Sequence, residues 1–132
     1  FVSSIYKNKI IRIDEQGKAA DFIKSGQEGI GQVLGIKVSN GKLWVCSNTR
    51  ERDPNGNSMV HVFDIVTGHL SRKWIVPASG EMHLFNDLAV DSQGNVFVSD
   101  SDYGAIYRLN IQSKIPELFI KDDKLNYANG IT

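Results

Sequence analysis

From Phe85 to Lys121 the chain reads FNDLAVDSQGNVFVSDSDYGAIYRLNIQSKIPELFIK. This stretch holds four short runs rich in Val, Ile, Leu, Phe and Tyr, and the connections between them contain Gly, Asp and Asn. Runs of this kind bounded by turn residues are typical of half-buried antiparallel strands. No segment of the chain shows the periodicity of an amphipathic helix. We therefore expect an all-β protein built from four-stranded antiparallel meanders.

The chain also repeats itself. FVSSIYKNKIIRID (1–14) aligns without a gap on FVSDSDYGAIYRLN (97–110), with five identities in fourteen positions, and a middle copy begins with VLGIKVSNGKLWVCS (33–47). The repeat length of about 43 to 52 residues is typical of the blades of a β-propeller. We expect blade portions at about 1–24, 33–77 and 85–121, and the start of another blade at 129–132. Phe1 aligns with a second strand and Thr132 lies within a first strand, so the sequence predicts a propeller fragment that is incomplete at both ends.

The two sets of connections between strands differ in length and composition. One set consists of tight turns such as SNG and EQG, where glycine supplies the backbone conformation that a short hairpin needs. The other set is longer and carries polar, aromatic and charged residues, including the loop from Thr49 to Ser58. Because variable loops on a rigid scaffold are where binding functions concentrate, we expect the function on the face that carries the second set.

Two asparagines stand at equivalent points of successive repeats on that face. Asn86 and Asn129 are 43 residues apart, and each opens a first strand. First strands line the axis of a propeller, so the two side chains are expected to converge, and amide oxygens can bind a hard cation. The alternative is that each side chain merely caps the turn that leads into its own strand. The middle repeat has Leu34 at this position, so the repeat itself does not require a polar residue.

The net charge of the chain argues against nucleic acid as a partner. Fifteen basic and fifteen acidic side chains cancel, so the chain lacks the positive excess that binding to nucleic acid would need. No run of eighteen apolar residues occurs, and no membrane span is expected. The sequence does not decide the compartment, and a secreted or periplasmic location would require a leader ahead of Phe1.

The segment from Phe85 to Asn110, together with YANGIT (127–132), resembles the family of gluconolactonase, senescence marker protein and luciferin-regenerating enzyme. The resemblance rests on Asn86-Asp87, the Asp-x-x-Gly turn, the strand GAIYR and the Asn-Gly pair one repeat later. It implies a six-bladed propeller with a divalent metal, often calcium, on its axis. It further implies that Asn86 and Asn129 are two of the metal ligands, and that the family's Glu and Asp ligands fall outside residues 1–132.

The same resemblance implies hydrolysis of a lactone or a related ester as the reaction, with a small-molecule substrate. A cation polarises the carbonyl oxygen of such a substrate while a carboxylate assists water. The family often has an arginine two residues before the first Asn, where this chain has Leu84, so the resemblance does not imply a sugar-acid lactone. The other function class is a propeller that binds a ligand or a protein without catalysis.

Further candidates for binding the substrate or supporting the metal lie on the same face. Asp87 is placed to orient Asn86 by hydrogen bonding, and His83 is either a general base or a solvated loop histidine. Asp100, with Asp102, either binds a ligand or satisfies nearby backbone N–H groups. Arg50, with Glu51 and Arg52, either contacts an anionic substrate or belongs to a solvated charged loop. His61 and His69 are expected to be structural or exposed.

Overall fold

The computed structural model describes residues 1–50 and 53–132 and contains three antiparallel sheets in consecutive order along the chain. The first sheet has three strands, and the second and third sheets have four strands each, arranged as meanders. The strands are β1 (Val2–Ser4), β2 (Lys9–Ile13), β3 (Ala19–Ile23), β4 (Gln32–Ser39), β5 (Lys42–Asn48), β6 (Ser58–Asp64), β7 (Leu70–Val76), β8 (Phe85–Val90), β9 (Val96–Asp100), β10 (Ala105–Leu109) and β11 (Glu117–Lys121). The sequence prediction of an all-β protein is confirmed.

Helical structure is confined to two 3₁₀ turns, Gln27–Gly29 and Asp123–Leu125. In the part of the chain that the structure describes, no helix has the length and apolar character that crossing a membrane requires.

The sheets stack face to face, and the central one is buried on both sides. In β6, alternate side chains point to opposite faces of the sheet. Val60 and Val62 therefore pack against the third sheet, while Phe63 packs against the first. The core between the second and third sheets is centred on Trp74, Phe85 and other apolar residues.

A second core, between the first and second sheets, consists of Ile10, Ile23, Ile30, Val33, Leu43, Val45 and Phe63. Because both faces of the second sheet are covered, its strands β5 and β6 are almost continuously buried. Burial on both faces explains why WVCS in β5 and MVHVF in β6 lack the alternation of apolar and polar residues that a half-buried strand shows.

The first strands of the three sheets adjoin one another. Strand β4 contacts β8 on one side and β1 on the other. The approach of β4 to β8 is close at Gly35, where a Cβ atom would lie 2.6 Å from the carbonyl oxygen of Asn86. Only glycine fits there without movement of a strand. This arrangement brings the beginnings of β4 and β8 and the end of β1 to a common region.

Candidate functional site

A cavity of about 600 Å³ lies where the first strands meet. We call it the first-strand cavity. The end of β1, the beginnings of β4 and β8 and the segment after Tyr127 border it, and it is open to solvent. Its lining consists of Ser3, Ser4, Ile5, Tyr6, Val33, Leu34, Gly35, Asn86, Asp87, Asn129 and Gly130. It thus joins residues from all three sheets and from the segment that follows them.

A backbone irregularity explains how Asn86 reaches this cavity. In the pairing of β8 with β9, Phe85 pairs with Asp100 and Asp87 pairs with Ser99, so Asn86 is an extra residue with no partner opposite. A bulge of this kind bends a strand and redirects the side chain it carries. Strand β4 has a similar irregularity between Val33 and Ile36. Leu34 lies within that irregularity and also lines the cavity.

Asp87 connects β8 to the segment that carries Asn129. Its carboxylate oxygen Oδ2 accepts a hydrogen bond of 3.4 Å from the backbone N–H of Ile131. The hydroxyl of Ser99, on the neighbouring strand β9, accepts from the backbone N–H of Asp87 at 3.2 Å and donates to its carbonyl at 3.3 Å. Asp87 is thus fixed from both sides, and it holds the chain two residues beyond Asn129 against β8.

Several polar side chains in the lining carry oxygen atoms of the kind that bind metal ions. They are the side-chain amides of Asn86 and Asn129, the carboxylate of Asp87 and the hydroxyls of Ser3 and Ser4. Within residues 1–50 and 53–132, neither amide side chain takes part in an intramolecular hydrogen bond, so both are available to a ligand. Calcium prefers amide, carboxylate and carbonyl oxygens, and this donor set fits a hard cation.

The same donor set disfavours a softer metal. Zinc in proteins is held by thiolates, imidazoles and carboxylates, usually four in number. The described residues contain no group of three or more His, Cys, Asp or Glu side chains that could hold a metal ion. Cys46 is buried in the core, and its burial raises the pKa of the thiol well above the usual value.

His83 is not a solvated loop histidine, contrary to one of the two expectations, because it is 93% buried with an exposed fraction of 7%. Its Nδ1 lies 2.6 Å from Oδ2 of Asp100, and its ring lies 4.5 Å from the ring of Tyr103 between centroids. Asp100 is itself fully buried and accepts hydrogen bonds from the backbone N–H groups of Leu84 and Tyr103. The pair therefore holds the loop before β8 against the loop before β10.

The structure does not bring every candidate residue to the cavity. Asn86, Asp87 and Asn129 line it, whereas His83, Asp100 and Arg50 do not. Arg50 is exposed in the bend that follows β5, and Asp102 lies in the loop after β9. Glu51 and Arg52, which were expected to accompany Arg50, lie outside the described residues.

Sequence reasoning missed three residues that build the cavity. Ser3 and Ser4 could have been found, because the alignment of 1–14 with 97–110 places them on Ser99 and Asp100. Gly35 also carried a signal, since an isolated glycine inside a strand pattern often marks a close approach of another backbone. Neither signal identifies a residue of the cavity until the packing of β4 against β8 is known.

Comparison of the chain with models of known protein families and with curated proteins gives no match.

Proposed function

We propose that the three sheets are consecutive blades of a β-propeller and that the first-strand cavity lies at its axis. Two features support this proposal. The sheets are meanders stacked face to face, and β4 and β8, the first strands of the second and third sheets, contact each other. Strand β1, which aligns with a second strand, contacts β4 as β5 contacts β8. A propeller has the same geometry, because its blades are arranged radially with their first strands around a central channel.

The cavity, in this proposal, binds a divalent cation, with calcium as the best fit. The main support for a cation site is that Asn86, Asp87 and Asn129, from two successive repeats, line the same cavity. Asn86 and Asn129 would hold the ion through their amide oxygens. Asp87 is the positioning residue, because its contact with the N–H of Ile131 fixes the segment that carries Asn129.

The reaction that fits such a site best is hydrolysis of a lactone or a related ester. A bound cation would polarise the carbonyl of the substrate and stabilise the charge that develops on its oxygen. This chain would contribute the two amide ligands and the wall of the cavity. The resemblance to the gluconolactonase-like family supports this substrate class and assigns the carboxylate that activates water to another blade.

Calcium titration by calorimetry tests the cation site. In a protein that contains the complete ring of blades, we expect wild type to bind calcium. We expect Asn86→Ala and Asn129→Ala each to weaken binding at least about tenfold, which corresponds to about 1.4 kcal/mol. Leu34→Ala is the matched control, since Leu34 occupies the equivalent bulge on β4 and also lines the cavity. If wild type binds no divalent cation, or if both asparagine variants bind like wild type, the cation site is wrong.

A second candidate function is binding of a ligand without catalysis. The cavity lining supports it through two apolar side chains that are not fully buried, Ile5 and Leu34, which give the cavity a surface suited to an apolar group. A panel of lactones and aryl esters, assayed with and without calcium, separates the two functions. Calcium-dependent turnover that Asn86→Ala abolishes supports the hydrolase, and calcium binding without turnover of any of them supports the binding protein.

A further inference from the structure

A recess lies between the edge strand β7 and the loop that joins β10 to β11. Its volume is about 760 Å³, and it is lined by Ser71, Arg72, Lys73, Ile75, Pro77, Lys114 and Ile115. We call it the basic groove. It shares no lining residue with the first-strand cavity. Sites for small molecules typically have volumes of about 300–1,000 Å³.

The groove is lined by three positively charged side chains. Arg72, Lys73 and Lys114 line it, and the described lining contains no carboxylate. Lys73 Nζ donates to the carbonyl oxygen of Glu28 at 3.0 Å, and Arg72 donates to the carbonyl of Ser113 at 3.3 Å. Within the described residues Lys114 has no side-chain partner. Since these partners are neutral, the three charges remain available to attract an anion.

Apart from Ser71, the rest of the lining is apolar and partly open to solvent. Ile75 and Pro77 lie on and just after β7, and Ile115 is 63% exposed on the opposite wall. A ligand that combined a negative head with an apolar body would meet both kinds of surface. The lysines would contact its head, and the isoleucines and the proline would cover its body.

The walls of the groove are held in place without a ligand. The backbone N–H of Ile75 donates to the carbonyl of Lys114 at 3.2 Å, which ties the loop to the edge of β7. The hydroxyl of Ser113 bonds to both the N–H and the carbonyl of Ile115, at 3.1 and 3.0 Å. Arg72 stacks over Trp74 at 4.7 Å from the ring centroid. A preformed groove loses little conformational entropy when a ligand binds.

We propose that the basic groove binds a small organic anion with an apolar body, of the kind represented by a medium-chain carboxylate. The carboxylate head lies between Lys73 and Lys114, and the hydrocarbon chain lies along Ile75 and Ile115. This site is independent of the cation site, and each can fail without the other.

Equilibrium dialysis of the chain against radiolabelled decanoate tests the proposal. We expect saturable binding of one decanoate per chain, no competition by acetate, which lacks the apolar body, and no competition by decyltrimethylammonium, which lacks the negative head. The double variant Lys73→Gln/Lys114→Gln is expected to weaken binding about tenfold or more, because each lost contact with the carboxylate head removes a charge-assisted hydrogen bond. Ile115→Asp should weaken it similarly, whereas Asn86→Ala should leave it unchanged.

Lys18→Gln is the matched control, since Lys18 is an exposed lysine in the turn between β2 and β3. The single variant Lys114→Gln, at an exposed residue, tests the site even if the double variant misfolds. It should weaken binding about threefold. The proposal is overturned if decanoate does not saturate, if the ammonium compound competes equally, or if the groove variants bind like wild type. Binding of an acidic peptide in the groove without binding of decanoate also overturns it.

Discussion

His61 and His83 are both buried, yet their surroundings differ. His83 faces the carboxylate of Asp100. His61 lies on β6 with its Nε2 3.3 Å from the carbonyl of Glu28, stacks on Phe63, and lies near the positive charge of Lys73. The positive charge of Lys73 disfavours the protonated form of the His61 imidazole.

His61 should therefore make stability depend on pH. Burial, followed by the charge of Lys73, lowers the pKa of His61 from 6.5 to about 4. The neutral form is favoured in the folded state, so this stability is fully present above pH 6.5 and is lost as the pH falls through about 4. Between pH 7.5 and pH 4, we expect the free energy of unfolding to fall by about 3 kcal/mol from this group alone.

Urea denaturation at pH 7.5, 5.5 and 4 measures this loss. In His61→Gln the loss between pH 7.5 and 4 should be about 3 kcal/mol smaller than in wild type, because glutamine does not titrate. His69→Gln serves as the control, since His69 is exposed, and it should keep the pH dependence of wild type. An unchanged pH dependence in His61→Gln would show that another group is responsible.

At the scale of single elements, the bulges of β4 and β8 determine which side chains reach the first-strand cavity. Strand β4 approaches β8 closely because residue 35 has no side chain, and a Cβ there would lie 2.6 Å from Oδ1 of Asp87 and 2.7 Å from its Cα. Backbone atoms cannot rotate away as the end of a long side chain can. The two strands must therefore separate if residue 35 becomes larger.

Gly35→Ala should accordingly lower the free energy of unfolding by about 2 kcal/mol, within the range for overpacked cores. Gly130→Ala is the matched control on the other side of Asp87, since the nearest atom to its added Cβ is Oδ2 of Asp87 at an ordinary 3.8 Å. It should change stability by less than about 0.5 kcal/mol. Thermal denaturation of both variants checks the prediction, and a Gly35→Ala protein as stable as wild type would contradict it.

The strands were predictable from local sequence, whereas the details of the site were not. Runs such as VFVSD and AIYRL carry their own pattern of β-branched and aromatic residues, and the all-β class followed from them. The bulge at Asn86 depends on how β8 pairs with β9, and the burial of His83 depends on a partner 17 residues away. Such features arise from tertiary contacts, which no short window of sequence contains. The closed propeller ring stays a prediction.

At the scale of the whole molecule, the second and third sheets are joined by a polar contact as well as by their apolar core. Asn48, at the end of β5, is fully buried. Its Nδ2 donates to the carbonyl of Phe85 at 3.0 Å, and its Oδ1 accepts from the N–H of Phe85 at 2.9 Å and from the hydroxyl of Ser58 at 2.7 Å. The side-chain amide of Asn48 thus hydrogen-bonds both backbone groups of Phe85 at the start of β8, next to the bulge that contains Asn86.

Loss of this amide should loosen the third sheet in particular. Asn48→Ala leaves the N–H and carbonyl of Phe85 buried without partners, and we expect a loss of about 3 kcal/mol of stability. Asn55→Ala, at an exposed residue of the loop after β5, should stay within about 0.5 kcal/mol of wild type.

Amide hydrogen exchange locates the effect, because Asn48 contacts β8 and has no part in the core between the first and second sheets. Amides of β8 and β9 should therefore exchange faster in Asn48→Ala, while those of β2 and β3 keep their wild-type protection. Equal acceleration in all three sheets would mean that Asn48 supports the molecule as a whole, and that the sheets unfold as one unit instead of separating at this junction.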